Sequence, residues 1–386
     1  AEAHAGVARA TLDFMARELR VPADGAFASS LDADTEGEEG ATFVWTADEI
    51  REVLGDDAEA FMTAYGVTES GNWEGKSILQ RVTPPGDEAT EARLAKARAR
   101  LLERRRARAQ PARDDKALAA WNGLAIAAFA EASALPEVGD RYRDAAVKAA
   151  DAILAGLRTP DGRLKRSWKD GRASGEGVLE DYAHLGEGLL ALYEATFDER
   201  WFSAARELAA TILDHFTDPA GGFFDTSDDH ERLVTRPKDP QDNAVPSGGS
   251  MATVLLLKLA ALTGEGRYRT AAEKAIATVT AFAARYPTGF ANWLTAIDFA
   301  LAPVVEVAII GDPRSADTKR LVAPALDGYR PNQVIAISAE PGSSVIPLLG
   351  DRFEINGRPT AFVCRDFACR QPVNEPEALA ALLAAG

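Results

Sequence analysis

Three copies of one short pattern constrain the fold more than any other feature of the chain. Arg141-Tyr142-Arg143-Asp144-Ala145-Ala146, Arg200-Trp201-Phe202-Ser203-Ala204-Ala205 and Arg267-Tyr268-Arg269-Thr270-Ala271-Ala272 all read R-[YW]-x-x-A-A. Each follows an Ala/Leu-rich stretch and a short polar turn, and each leads one helix later into a proline-glycine turn: Pro160-Asp161-Gly162, Pro219-Ala220-Gly221 and Pro287-Thr288-Gly289. Arg-aromatic-Ala is common helix vocabulary, but nearly equal Arg-to-Pro spacing in all three copies is not. The unit is therefore a helix, a tight turn and a second helix that stops at Pro-Gly, followed by a short extended piece such as Phe223-Phe224-Asp225. Such hairpins stack into a solenoid or close into a ring. A period of roughly 60 residues exceeds those of the usual helical solenoid repeats, so the pattern favours a mainly α fold, a closed α/α toroid. Helices are expected near residues 4–20, 117–134, 139–157, 182–197, 199–216, 248–263 and 266–286. Pro22-Ala23-Asp24-Gly25 reads as a fourth terminal turn, and counting back from it lands at Ala3 and His4. The chain thus opens on the second helix of a hairpin, and the ring is expected to be incomplete at the N-terminus, finished by a missing N-terminal segment or by another chain.

The chain has 386 residues, 46% hydrophobic and 26% charged, enough for a large core in one big domain or two ordinary ones. A formal charge of -16 argues against nucleic acid and anionic membrane as main partners, because a phosphate surface needs a basic one. The one basic run, from Arg93 to Arg113, reads as a solvated helix with Glu91, Glu103 and Asp114 close by. No run is long and apolar enough to span a membrane, and cytoplasm is the default compartment. Two cysteines, Cys364 and Cys369, rule out a disulfide framework, and their C-x4-C spacing lacks the second ligand pair of a zinc site. Two inert thiols is the plain reading, a redox pair the lesser one. No cofactor and no metal are expected.

The repeat occupies residues 1–302, interrupted by an insert at 28–80. Asp32, Asp34, Glu36, Glu38 and Glu39 form an acidic loop there, Thr42 to Trp45 a short strand, and Thr46-Ala47-Asp48-Glu49 a capped helix start. The loop lacks the terminal bidentate Glu of an EF-hand, so Asp32 and Asp34 are candidate lining of a cavity mouth. From residue 303 to 386 the grammar changes to strand, helix, strand: Val304 to Gly311, Asp317 to Ala323, Gln333 to Ser338, Thr360 to Cys364, with a closing helix from Glu375 to Leu383. This is a small α/β appendage.

Polar clusters fall at helix starts. Glu180, Asp181, Tyr182 and His184 crowd one of them, and Asp114-Asp115-Lys116 is read as the cap of the helix near Ala117, with Trp121 and Asn122 just inside it. The loop before residue 248 holds Arg236, Lys238, Asp242 and Asn243, with Asp225 in the extended piece upstream. In a ring of hairpins these starts share one mouth. Asp181 is the leading acid/base candidate, with Glu180 as its rival beside Tyr182, and His184 is a base for proton abstraction next to a carbonyl. Trp121 can stack on a sugar ring and Asn122, Asp242 and Asn243 can bond its hydroxyls, while Arg236 and Lys238 can hold an anionic group. The plain alternatives are packed histidine, helix caps and self-satisfied turns.

Several motifs together resemble one family: Asp32-Ala33-Asp34-x-Glu36-Gly37, Gly71-Asn72-x-Glu74-Gly75-Lys76, Asp114-Asp115-Lys116 with Trp121-Asn122-Gly123-Leu124, Glu180-Asp181-Tyr182-Ala183, and Arg236-Pro237-Lys238-Asp239 with Pro246-Ser247-Gly248. The chain is similar across nearly its whole length to the thioredoxin-domain-containing, spermatogenesis-associated protein family. The resemblance implies an (α/α)6 toroid akin to N-acylglucosamine 2-epimerases and six-hairpin glycosidases. The family's thioredoxin-like domain and first toroid helices are absent from this sequence. The expected function is a carbohydrate-active protein of sugar epimerase or isomerase type, acting on a small sugar-like molecule by acid/base proton transfer in the toroid cavity. The alternatives are a glycoside hydrolase, pairing Asp181 with another carboxylate such as Asp32, Asp34, Asp225 or Asp242, and a non-catalytic sugar-binding or scaffold module.

Overall fold

The computed structural model describes residues 2–21, 25–135, 138–231 and 233–384, and no side-chain detail for Glu2 and Ala3. The expected turn at Pro22, Ala23 and Asp24 lies outside the described residues. The chain forms two compact units, Ala1–Ala10 with Ala28–Asp115, and Thr11–Phe27 with Lys116–Gly386.

Helix α1 (Glu2–Phe14) runs into a π-helical turn, Met15–Leu19. The first unit then contains β1 (Ser30–Leu31), β2 (Asp34–Thr35), β3 (Glu38–Glu39), α2 (Ala47–Leu54), α3 (Ala58–Tyr65), α4 (Glu88–Arg106) and β4 (Arg113–Asp114). Its own core gathers Trp45, Ile50, Leu54, Phe61, Met62, Leu94 and Leu101. Thr46 and Glu49 cap α2 reciprocally, as the sequence predicts. The expected strand from Thr42 to Trp45 does not form. The N–H groups of Phe43 and Val44 donate back to the Gly40 carbonyl, closing a turn, and only Trp45 makes an antiparallel bridge, to Ser77. The basic run is helix α4 as far as Arg106; Arg108, beyond its end, is part-buried, lying on Trp45 and donating to the Thr42 and Val44 carbonyls.

After the Thr11–Phe27 segment, the second unit contains β5 (Ala117–Leu118), α5 (Ala119–Ala132), α6 (Gly139–Leu157), β6 (Lys165–Lys169), β7 (Arg172–Glu176), α7 (Leu179–Thr196), α8 (Glu199–His215), α9 (Gly248–Thr263), α10 (Gly266–Arg285) and α11 (Ala291–Leu301). Helix α5 packs on α6 and α7, α7 on α8 and α9, and α9 on α10 and α11. First helices of hairpins therefore sit side by side, each backed by its own second helix, which is the arrangement of an α/α toroid. The sequence explains the division: α7 and α9 are buried nearly all round, whereas α6, α8 and α10 bury one stripe.

The repeat pattern has a physical basis. Tyr142, Trp201 and Tyr268 are fully buried at equivalent positions. The preceding arginine covers each ring, Arg141 at 5.0 Å, Arg200 at 3.6 Å and Arg267 at 4.7 Å from the centroids. Arg141 also reaches Asp13 and Arg200 reaches Asp151, each at 2.5 Å, on an earlier helical segment.

The expected cap of α5 is a correction. Asp114 lies in β4, which pairs with β1, and α5 starts two residues later than Ala117 because Ala117 and Leu118 pair with Trp168 and Ser167 of β6. The hairpin of β6 and β7 was not read from sequence, although Asp170-Gly171 at its tip, with φ of 51° and 78°, is the dipeptide that a tight hairpin turn favours.

The appendage contains β8 (Val305–Ile310), α12 (Ala316–Leu326), β9 (Gln333–Ser338), β10 (Thr360–Arg365), β11 (Ala368–Cys369) and α13 (Pro376–Ala384). Strand order is β11-β10-β8-β9, with β8 and β9 parallel. Side chains alternate between two cores. Val307, Ile309, Ile335 and Ile337 face α12 and α13, while Ala308, Ile310, Val334 and Ala336 join the core of the hairpins. Cys364 and Cys369 are bonded as a disulfide, which corrects the expectation of two inert thiols: the pairing of β10 with β11 sets them opposite each other.

Helices α5 and α7 approach most closely at glycines. A Cβ on Gly123 would lie 2.4 Å from the His184 carbonyl carbon, and one on Gly188 would lie 2.3 Å from the Gly123 oxygen. Gly123→Ala is expected to cost about 2 kcal/mol or more in urea unfolding, because backbone rather than a flexible side chain must move. Gly266→Ala meets no atom within 4 Å and is the matched control.

Candidate active site

Glu180 and Asp181 are consecutive at the start of α7, so their side chains leave the helix about 100° apart. Asp181 turns inward, only 1% exposed. Its Oδ1 accepts the Ala120 N–H of α5 at 3.2 Å, and its Oδ2 accepts the Val178 N–H at 3.0 Å. Asp181 thus caps its own helix and satisfies a first-turn donor of the neighbouring one. Burial pushes its carboxyl up to about 7, opposed by the Arg166 guanidinium 3.4 Å away. Glu180 turns outward and pairs with the same Arg166 at 2.7 Å.

A cleft of about 350 Å³ opens in front of Glu180, within the range of small-molecule sites. Asp225, Asp239, Gln241, Asn243, Val178 and Pro246 also line it. Asp225 is fixed through its backbone: its carbonyl accepts the Leu179 N–H at 2.8 Å and its N–H donates to Pro237 at 2.9 Å. Its Oδ2 accepts the Asp239 N–H at 2.9 Å. Burial raises the Asp225 carboxyl above the usual range, and the charges of Asp239 and Glu180 add to that. A second hollow of about 480 Å³ shares Gln241 and Asn243 with the cleft and extends past Tyr286 to Phe290.

Of the residues predicted from sequence, Glu180, Asp225 and Asn243 line the first cleft and Asp242 borders the second hollow. The others lie elsewhere or are engaged. The buried Tyr182 hydroxyl accepts the Leu164 N–H at 2.9 Å. His184 is buried and donates from Nε2 to the Pro246 carbonyl at 3.0 Å; burial lowers its pKa and keeps it neutral. Asn122 joins α5 to Phe27, accepting its N–H at 2.8 Å and donating to its carbonyl at 3.0 Å. Trp121 is 45% exposed and outside the cleft wall. Arg236 stacks on Phe224 and donates to the carbonyls of His215 and Thr226, while Lys238 pairs with Asp218 at 2.7 Å. Neither cation faces the cleft, because local carbonyls and a local aspartate hold both. Asp242 accepts the N–H of Ser247 at 2.8 Å and that of Asn292 at 2.9 Å, closing the loop onto the start of α11. Asp32 and Asp34 belong to the first unit, where the Asp32 side chain accepts the Asp34 N–H at 3.1 Å. Asp239 and Gln241 line the cleft without being predicted as site residues, although each adjoins a residue that is.

Among the described residues, His215, Asp228 and Asp229 bring ligand atoms within 4.8 Å of one another. Arg163 already holds both oxygens of Asp229 at 2.8 Å, and His215 bonds Asp228 at 2.8 Å. No helix among the described residues is long and apolar enough to cross a membrane.

The architecture is that of an α/α toroid with a polar cleft at the start of one inner helix. No family model matches the chain. It is 30% identical to spermatogenesis-associated protein 20 of Homo sapiens over 99% of this chain and 55% of that protein, and 29% identical to the Mus musculus protein over 99% and 54%. The chain spans about half the length of the curated relatives it matches. Similar solved structures include an alpha-1,6-mannanase from Salegentibacter, at 18% identity, 71% and 70% coverage and a TM-score of 0.35. D-mannose isomerase is similar at 12% identity, 78% and 70% coverage and a TM-score of 0.37.

The Asp181 carboxyl has a folded pKa above its unfolded one, so its stabilising effect is complete below about pH 4 and is lost as pH rises to about 7. Asp181→Asn is expected to remove that decline, up to about 4 kcal/mol across the window. Urea unfolding of both proteins at intervals from pH 4 to 8 reads the difference in slope.

Proposed function

We propose that this protein is a carbohydrate-active enzyme that uses Glu180 and Asp225 as an acid/base pair. The observation that carries this reading is that both line one open cleft in different electrostatic settings. Glu180 is a carboxylate held by Arg166, suited to act as base or nucleophile, while Asp225 keeps its proton to higher pH, suited to act as general acid. The amides of Gln241 and Asn243 offer hydroxyl partners, and the half-exposed ring of Tyr286 offers a stacking face in the adjoining hollow.

Two adjoining hollows suit a ligand of more than one sugar unit, which puts glycoside cleavage ahead of epimerisation. Epimerisation through His184 would need an imidazole that is buried and bonded to Pro246. Asp181 serves in this reading as the buried group that fixes α7, and Arg166 as the residue that orients Glu180. Membership of the spermatogenesis-associated protein family belongs to the same proposal, supported by similarity that covers about half of each relative. We also propose a domain boundary between residues 302 and 303, with the appendage packed on the hairpins through Ala308, Ile310, Val334 and Ala336.

The test is incubation with neutral oligosaccharides in water labelled with deuterium and oxygen-18. Hydrolysis puts oxygen-18 at a new reducing end, epimerisation puts deuterium on carbon, and a binding module does neither. Glu180→Gln and Asp225→Asn are each expected to lower kcat by roughly 10²- to 10⁴-fold. The rate should fall as pH rises through the elevated Asp225 pKa, since the acid form is the working one. Full turnover in both variants would overturn the pair.

A further inference from the structure

The disulfide in the appendage lies outside everything the cleft requires, and its two sulfurs differ. Cys364 is buried within β10, whereas Cys369 is exposed on the edge strand β11. The Arg352 guanidinium reaches both, with Nη2 3.1 Å from Cys369 Sγ and 3.5 Å from Cys364 Sγ, while Nη1 is anchored to the Gly350 carbonyl at 2.9 Å. A fixed cation on a sulfur lowers the cost of a thiolate there. Arg370, exposed beside Cys369, adds a second positive charge at the approach. The hairpin also has independent anchors. The Phe367 N–H donates to the buried Glu306 at 2.8 Å, and the Phe367 ring lies against Gly264. Opening the sulfur bond therefore need not release the strand.

We propose that Cys364 and Cys369 form a thiol–disulfide exchange site for an external dithiol, with Cys369 Sγ as the atom attacked and Arg352 as the residue that stabilises the departing thiolate. A donor thiolate bonds to Cys369 Sγ, the sulfur–sulfur bond breaks, and its electron pair leaves on Cys364 beside Arg352. The donor's second thiolate then attacks its own sulfur in the mixed disulfide and releases Cys369. The donor dithiol is oxidised to a disulfide and loses two protons; the protein pair gains two electrons and, on protonation, two protons. Access sets the order: Cys369 is the sulfur an external thiolate can reach, and the departing Cys364 sulfur keeps the Arg352 guanidinium at 3.5 Å.

The full native chain treated with reduced glutathione and quenched with iodoacetamide is expected to carry glutathione on Cys369 and the alkyl group on Cys364, read by peptide mass spectrometry. With dithiothreitol, Arg352→Gln should slow reduction roughly five- to tenfold, and Arg352→Lys should stay close to wild type. Glutathione found on Cys364 instead, a bond that opens only when the chain unfolds, or an Arg352→Gln rate equal to wild type would each overturn the proposal. Should Arg352→Gln fail to fold, the site of the first adduct in the wild-type chain decides it.

Discussion

The contact between α5 and α7 is the constraint on which the site depends. Gly123 and Gly188 let two helix backbones touch where any Cβ would collide with main chain. At that separation the Asp181 carboxylate of one helix can reach the Ala120 N–H of the other, so a donor in the first turn of α5 is satisfied by a side chain from the next hairpin. The same contact buries Asp181 and sets the rotation of α7, which leaves Glu180, one residue earlier, facing out. The division of labour between two neighbouring carboxylates is thus a consequence of how closely two helices pack.

The hairpins were legible because their signal is local and repeated. An arginine lying on the ring that follows it, with small residues three and four positions on, is a unit each copy completes by itself, so Tyr142, Trp201 and Tyr268 could be aligned without a structure. The appendage was legible through its strands of continuous apolar residues, which need both faces covered. The cap of α5 was not, since its donor is met by Asp181, 61 residues away. The sequence located the polar mouth of α7 and the loop at 236–243, but periodicity cannot say which of two adjacent carboxylates turns inward. Asn122 illustrates the same gap: nothing near it in sequence indicates that Phe27 uses its side-chain amide.

The hairpins also carry an ionic pair where a toroid presents the inner faces of its first helices. Lys258 of α9 pairs with Glu187 of α7 at 2.7 Å, and Glu194 accepts the Ile335 N–H of β9 at 3.1 Å. Burial alone would lower the Lys258 ammonium, but Glu187 and Glu194 outweigh it and hold the charge in place; burial raises Glu194. Replacing both partners of such a pair by apolar groups is often tolerated, whereas removing one leaves an uncompensated charge. The cluster therefore ties α7, α9 and β9 together as a set.

Charge decides what the cleft can hold. Arg236 and Lys238 are the cations nearest to it in sequence, yet Phe224, Asp218 and backbone carbonyls engage both. That leaves a cleft lined by Glu180, Asp225 and Asp239, with Arg166 already paired to Glu180. A phosphate or carboxylate ligand would meet carboxylates without a free guanidinium or ammonium from the loop to offset them. The lining offers carboxylate acceptors, the amides of Gln241 and Asn243, and apolar surface on Val178 and Pro246, groups that suit a neutral, hydroxyl-rich molecule better than an anion. The loop that reads from sequence as an anion clamp therefore uses its two cations to hold its own fold, which leaves the lining of the cleft without them.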